Sequence, residues 1–186
     1  MARIRIGGGA WRSRLLQVTE EVPGLRPTPD RVRQTLFNWL GQDLTGLRCL
    51  DLYAGSGVLG FEAASRGATR VTLVEQHPAV FRALQQSARA LAGPLPGGQV
   101  SAQLELIRSD ALKFAAAVTE PYDLIFLDPP YHQGWLERLA VHLPRLARPD
   151  ARLYVEAEHP VTALGSWQQV KCGQAGQVFY QLLEQA

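Results

Sequence analysis

Two short stretches carry residue types that could do chemistry. The first is Asp128-Pro129-Pro130-Tyr131, which closes the apolar run YDLIFL. Each proline fixes φ at about −65° and removes a backbone donor, so the loop is stiff and rich in free carbonyl acceptors. This combination suits a planar exocyclic amine. Asp128 and the carbonyl of Pro129 accept its two hydrogens, and Tyr131 stacks on the ring that bears it. Positive charge that gathers on the nitrogen as it attacks a methyl group is stabilised more in the transition state than in the ground state. Asp128, Pro129, Pro130 and Tyr131 are therefore the candidate catalytic residues.

The second stretch is Gly55-Ser56-Gly57-Val58-Leu59-Gly60, a G-x-G-x-x-G pattern that follows a strand, opens a helix and precedes Glu75 by the spacing of a ribose-binding acid. By pattern alone this is a nicotinamide dinucleotide site. Asp51, just upstream at the strand end, argues otherwise. Its carboxylate would repel a pyrophosphate and attract the ammonium and sulfonium of S-adenosylmethionine. The cofactor candidates are Asp51, Tyr53, Ala54, Gly55, Ser56 and Gly57. Glu75 and Gln76 suit the ribose, and Asp110 and Ala111 the adenine, although Asp110 is equally placed to cap a helix.

These residues need a sheet edge to hold them. Strand-length apolar runs at 48–54, 70–75, 104–108, 122–127 and 152–157 alternate with helix-period segments at 58–66, 79–91, 111–118 and 135–146. That alternation predicts parallel strands covered by helices. The tail breaks the rhythm: 167–171 and 177–183, joined by a turn at 173–176, read as an antiparallel hairpin. The expected fold is an α/β, Rossmann-like sheet of seven strands, five parallel plus the hairpin, in one domain spanning 1–186. Residues 41–186 form the core. Residues 1–40 are a small N-terminal extension: a hairpin around Ile4 and Val18, then a helix from Asp30 to Leu40.

The chain has 186 residues, 46% hydrophobic and 19% charged, so disorder and coiled coil are disfavoured. No apolar run approaches the ~20 residues that cross a bilayer, and Arg3, Arg5 and three glycines stand where a signal peptide needs an apolar stretch. A cytoplasmic protein without membrane contact is expected. The two cysteines, Cys49 and Cys172, read as buried reduced thiols, and the scattered histidines predict no metal. Residues 1–33 hold seven Arg against three acids, whereas the rest holds twelve bases against fourteen acids. A basic segment on a near-neutral body points to a polyanion. Arg3, Arg5, Arg12, Arg14, Arg26, Arg31 and Arg33 are candidate RNA-phosphate contacts, and Trp11 a stacking ring.

With these pieces in place, the chain resembles the bacterial ribosomal RNA small-subunit methyltransferase D family. The resemblance rests on IRIGGGAWRSRLL, LRPTPDRVRQTLFNWL, LDLYAGSGVLGFEAASRGA, DLIFLDPPY and the closing AGQV, and covers nearly the whole chain. Gln34 stands where the family usually has Glu, and Tyr131 where Phe is frequent. The resemblance implies a class I methyltransferase that uses S-adenosylmethionine to methylate the N2 amino group of one guanine in 16S rRNA. Its partner would be that RNA or a small-subunit assembly particle, met as a monomer. The residues alone leave open an adenine-N6 methyltransferase, an NAD-dependent oxidoreductase and a noncatalytic RNA-binding assembly factor.

Overall fold

The computed structural model describes residues 2–99 and 101–186. It opens with a hairpin of β1 (Ala2–Arg5) and β2 (Leu15–Val18), followed by helix α1 (Asp30–Leu40). The alternating part runs β3 (Arg48–Asp51), α2 (Val58–Ser65), β4 (Arg70–Glu75), α3 (Pro78–Leu91), β5 (Gln103–Arg108), α4 (Ala111–Ala117) and β6 (Tyr122–Leu127). Two short helices, α5 (Trp135–Ala140) and α6 (Leu143–Leu146), lead into β7 (Ala147–Ala157). The chain ends in β8 (Ala163–Leu164), β9 (Trp167–Ala175) and β10 (Val178–Gln185).

The central sheet has the order β5-β4-β3-β6-β7-β10-β9-β8. Its first five strands are parallel and the last three antiparallel. Among the described residues it has eight strands rather than the expected seven, because the two-residue β8 pairs with the outer edge of β9. The helix expected over 135–146 is two helices. Pro144 lies in the first turn of α6, where its missing N–H and its ring prevent continuation from α5. Cys49 is buried as expected, but Cys172 is exposed on β9, and both are free thiols.

Strands β3, β4 and β5 build outward on one side before the chain returns to place β6 on the other side of β3. This reversal opens a crevice beyond the carboxyl ends of β3 and β6, the usual ligand site of an open α/β sheet. One face of the sheet packs on α1, α2, α3 and the hairpin, with Phe37, Phe61, Phe126 and Tyr154 in its core. The other packs on α4, α5 and α6 around Leu50, Ile125, Leu153 and Trp167.

The N-terminal extension is fastened to the body by a buried ionic cluster. Arg33 is 3% exposed and Glu62 of α2 is 1% exposed, and the two form an ion pair at 3.6 Å. Arg33 also donates to the carbonyls of Thr28 (2.5 Å) and Arg5 (2.8 Å) and pairs with Asp30. Glu62 accepts from the backbone N–H of Gly7 at 2.5 Å and from Arg66 at 3.1 Å. The glycine triplet continues the docking. Gly9 has φ +76°, and a Cβ there would lie 1.9 Å from the carbonyl oxygen of Ser65, so only glycine fits.

Two expectations are corrected here. Arg33 cannot meet a phosphate because its guanidinium is spent inside the fold; its spacing with Leu36, Phe37 and Leu40 puts it on the buried stripe of α1. Trp11 cannot stack on a base because it is core, 3% exposed, with its backbone N–H bonded to Ser65 Oγ at 2.8 Å.

Removing one partner of a buried ion pair leaves the other charge uncompensated. Glu62→Ala should therefore lower the unfolding free energy by about 3–5 kcal/mol, measured by chemical denaturation, and speed proteolysis of the hairpin. A loss below about 1 kcal/mol would show that the cluster does not fasten the extension.

Candidate active site

Three acids stand on one face at the carboxyl ends of three adjacent strands. Asp51 ends β3, where it pairs in register with Phe126 of β6. Leu127 pairs with Val155 of β7, so Asp128 and Glu156 are the next residues along neighbouring strands. Strand alternation turns both side chains to the face of Phe126 and Tyr154. All three line one cavity of about 960 Å³.

Each acid has a different environment. Asp51 is 3% exposed and its Oδ2 accepts from the Gly60 backbone N–H at 3.0 Å, in the first turn of α2. Burial pushes its proton affinity up to about 7; the Gly60 N–H opposes this, and the charges of Glu75 and Glu156 add to it. Glu156 holds the hydroxyls of Thr28 (2.7 Å) and Tyr154 (2.8 Å) on Oε1. Burial raises its proton affinity, and those two hydroxyls pull it back. Asp128 is held well above the usual carboxylate range by burial, then by the charges of Glu156 and Asp51.

The glycine loop shapes the middle of the cavity. Gly57 has φ +80°, and a Cβ there would sit 2.4 Å from Leu84 and 2.5 Å from Phe61. Glu75 buttresses the loop: its Oε2 accepts from Gly55 N–H at 3.0 Å and its Oε1 from His77 N–H at 2.8 Å. Asp110 takes the capping role that the sequence left open, accepting from Lys113 N–H at 3.0 Å at the start of α4. It still lines the cavity beside Tyr53 and Ala111.

At the other end Tyr131 is 36% exposed at the mouth. The loop behind it is pinned by Glu158, which accepts from the His132 backbone N–H at 3.0 Å.

Of the expected cofactor residues, the cavity is lined by Asp51, Tyr53, Ala54, Gly55, Ser56, Glu75, Gln76, Asp110 and Ala111, with Gly57 behind the loop. Asp128, Pro129, Pro130 and Tyr131 line the same space. Sequence reasoning missed Glu156 and Trp135. Trp135 meets Tyr53 edge-on with ring centroids 6.0 Å apart. Thr28 and Arg26 belong to the segment 22–29 that walls the cavity. That segment also borders a second hollow, lined by Arg3, so the hairpin lies beside the mouth. Arg3, Arg5, Arg12, Arg14, Arg26 and Arg31 are exposed. Two of them are tied to backbone: Arg5 donates to Ser13 O at 3.0 Å and Arg14 to Ala90 O.

The lining discriminates between cofactors. Five carboxylates, those of Asp51, Glu75, Asp110, Asp128 and Glu156, face one arginine and no lysine among the described residues. A pyrophosphate finds too little positive charge there. A cationic nucleoside finds acids for its ammonium, sulfonium and hydroxyls, so the residues fit S-adenosylmethionine.

Comparison with known proteins agrees with this geometry. The family described as Conserved hypothetical protein 95 matches residues 4–184. Ribosomal RNA small subunit methyltransferase D of Escherichia coli K12 is 39% identical, over 98% of this chain and 90% of its own. The protein of the same name from Haemophilus influenzae is 38% identical, over 97% and 93%. A solved Escherichia coli structure, yhhF, provisionally assigned as a methyltransferase, has a TM-score of 0.83 at 40% identity, covering 99% of this chain and 98% of that one. An RNA methyltransferase from Salinibacter ruber in complex with S-adenosyl-L-homocysteine shares the fold, with a TM-score of 0.63 at 17% identity over 84% and 92%.

Asp51 gives a linked prediction. Its folded proton affinity lies above the ordinary value of 3.8, so the unfolded chain releases the proton first as pH rises. The stability that this residue contributes is full below about pH 4 and is lost as pH climbs through about 7. Asp51→Asn keeps an acceptor for Gly60 without the charge. Between pH 5 and pH 8 its melting temperature should fall less than that of wild type, while calorimetry shows weaker S-adenosylmethionine binding. Unchanged affinity would place the cofactor elsewhere.

Proposed function

This chain belongs to the Conserved hypothetical protein 95 family and has the class I methyltransferase fold, and on that premise we propose that it methylates ribosomal RNA of the small subunit. The target in this reading is the exocyclic N2 amine of one guanine, in the cytoplasm, on the RNA or a small-subunit assembly particle. The observation that carries the reading is one acid-lined cavity running from Glu75 through Asp51 to Asp128 and Tyr131. It joins a cationic-nucleoside site to an amine site. S-adenosylmethionine, when bound, supplies a methyl group activated on its sulfonium.

The residues of this chain divide the remaining work. Glu75 and Gln76 hold the ribose, Asp110 and Ala111 border the adenine, and Asp51 faces the cationic methionine end. A flipped guanine stacks on Tyr131, with its amine held by Asp128 and the Pro129 carbonyl. Most of the rate advantage is orientation and electrostatics. As the nitrogen forms its new bond to the methyl carbon, displacing a neutral thioether that takes the electrons of the broken carbon–sulfur bond, it becomes cationic and must lose a proton. Asp128, whose proton affinity is raised, can take that proton from the nitrogen. Arg3, Arg12 and Arg31, exposed on the extension, meet phosphates outside the mouth.

Asp128→Ala should lower methyl transfer by about 2.7–4 kcal/mol, roughly 100–1000-fold, with cofactor affinity kept. Wild-type transfer should fall on acidification at a pH above the ordinary carboxylate range, because a protonated Asp128 no longer accepts the amine hydrogen. Near-normal turnover of the variant in a labelled-methyl assay would reject this role. Arg12→Ala and Arg31→Ala should each flatten the plot of log RNA affinity against log salt by roughly 0.7–0.9 while leaving the methylated base unchanged. Wild-type slopes in both variants would remove these two positions from the RNA contact.

A further inference from the structure

We infer that Glu156 reads the ring edge of the target base, accepting the N1–H of guanine through its free carboxylate oxygen beside the amine held by Asp128. This inference rests on the guanine-N2 reading above and adds the residue that would select the base.

The aspartate loop recognises an amine, and adenine carries one as well as guanine. The two purines differ next to that amine. Guanine presents N1–H and N2–H as neighbouring donors, whereas adenine presents its N6 amine beside a bare N1 acceptor. A second acceptor fixed next to Asp128 therefore favours guanine. Against adenine it would set one lone pair against another, leaving a desolvated acceptor unpaired.

Glu156 is placed to be that acceptor. It follows Val155, which pairs with Leu127, so it is the in-register neighbour of Asp128 on the adjoining strand. It is 5% exposed, lines the same cavity as Asp128 and Tyr131, and has hydrogen bonds to Oε1 alone. Oε2 makes no hydrogen bond to the described residues. The Thr28 and Tyr154 hydroxyls both donate to Oε1, which fixes the side-chain rotamer and favours the ionised, accepting form. A carboxylate placed only to anchor the segment 22–29 would need the Thr28 contact alone. The second oxygen, left without a hydrogen bond on the in-register neighbour of Asp128, is what a base edge would use.

The test uses the full-length enzyme and small-subunit RNA carrying guanine, 2-aminopurine or adenine at the target position. That position and base are first identified by mass spectrometry of the wild-type product. 2-Aminopurine keeps the 2-amine but has a lone pair in place of N1–H. Wild type should methylate it at least about 100-fold less efficiently than guanine in kcat/KM. Glu156→Gln keeps an acceptor for the two hydroxyls and can turn an N–H toward the bare N1. It should lose activity on guanine and shrink the gap between the bases to within about tenfold. Loss of O6 in 2-aminopurine is common to both enzymes and cancels in this comparison. Glu156→Asp, which withdraws the oxygen by one methylene, should shrink the gap as well. Melting temperature and cofactor affinity identify a variant that fails to fold, and the other variant then decides. A merely structural role would lower activity on both bases equally and leave the gap unchanged, which overturns the inference. So does a wild-type enzyme that accepts 2-aminopurine as readily as guanine. A wild-type product methylated on adenine would instead overturn the guanine-N2 reading beneath it.

Discussion

Like charges gathered at the end of a parallel sheet are the constraint on which this molecule turns. Asp51, Asp128 and Glu156 end three neighbouring strands on one face, in or near a buried environment where repulsion is poorly screened. The fold answers each acid in part: a helix N–H for Asp51, two hydroxyls for Glu156, and for Asp128 no hydrogen bond from the described residues. What remains uncompensated is a negative field with a free acceptor at its centre. Such a site has little affinity for anions and a standing preference for cations and N–H donors. The same repulsion that costs folding stability thus selects the ligand, and a cavity with this lining distinguishes sulfonium chemistry from nicotinamide chemistry where the glycine pattern does not.

The N-terminal extension is bound up with this site. Arg33 clamps the carbonyls of Arg5 and Thr28 against Glu62, and the Thr28 hydroxyl reaches Glu156. One buried arginine therefore ties the basic hairpin, the cavity wall and the acid row into a continuous chain of contacts. A segment rich in arginine here has two kinds of arginine, one inside holding the fold and several outside on the surface. Net charge counts both alike, and only helical spacing separates them: positions 33, 36, 37 and 40 share the apolar stripe of α1, whereas Arg31 lies off it and is exposed.

This explains what was legible in the sequence. That the glycine loop and the Asp128–Tyr131 loop share one cavity could be read because each is a continuous stretch, and the strand–helix alternation placed both at the same sheet edge. Asp110 was legible only as an alternative, since an acid before a helix serves the backbone and a ligand equally well, and here it caps. Glu156 was hidden because its meaning comes from strand register: no spacing along the chain announces that residue 156 stands beside residue 128. Trp11 was misread because its neighbours are glycines and arginines, and nothing local says that this turn folds back onto Ser65.

A loop of aspartate, two prolines and an aromatic ring carries limited information. In the proposed reading it fixes an amine in a plane and supplies a charge to meet a developing ammonium, and those requirements are the same for any aminated ring. Identity of the ring must then be read somewhere else, by a group rigid enough to make the absence of one hydrogen costly. Strand β7 is suited to that reading because it is flanked by β6 and β10 in the sheet interior, and its side chains Tyr154 and Glu156 lie on the same face as Phe126 and Asp128 across the parallel ladder. A residue on a central strand is held on both sides by the sheet, so the acceptor proposed there would read a base edge with the precision of the sheet itself.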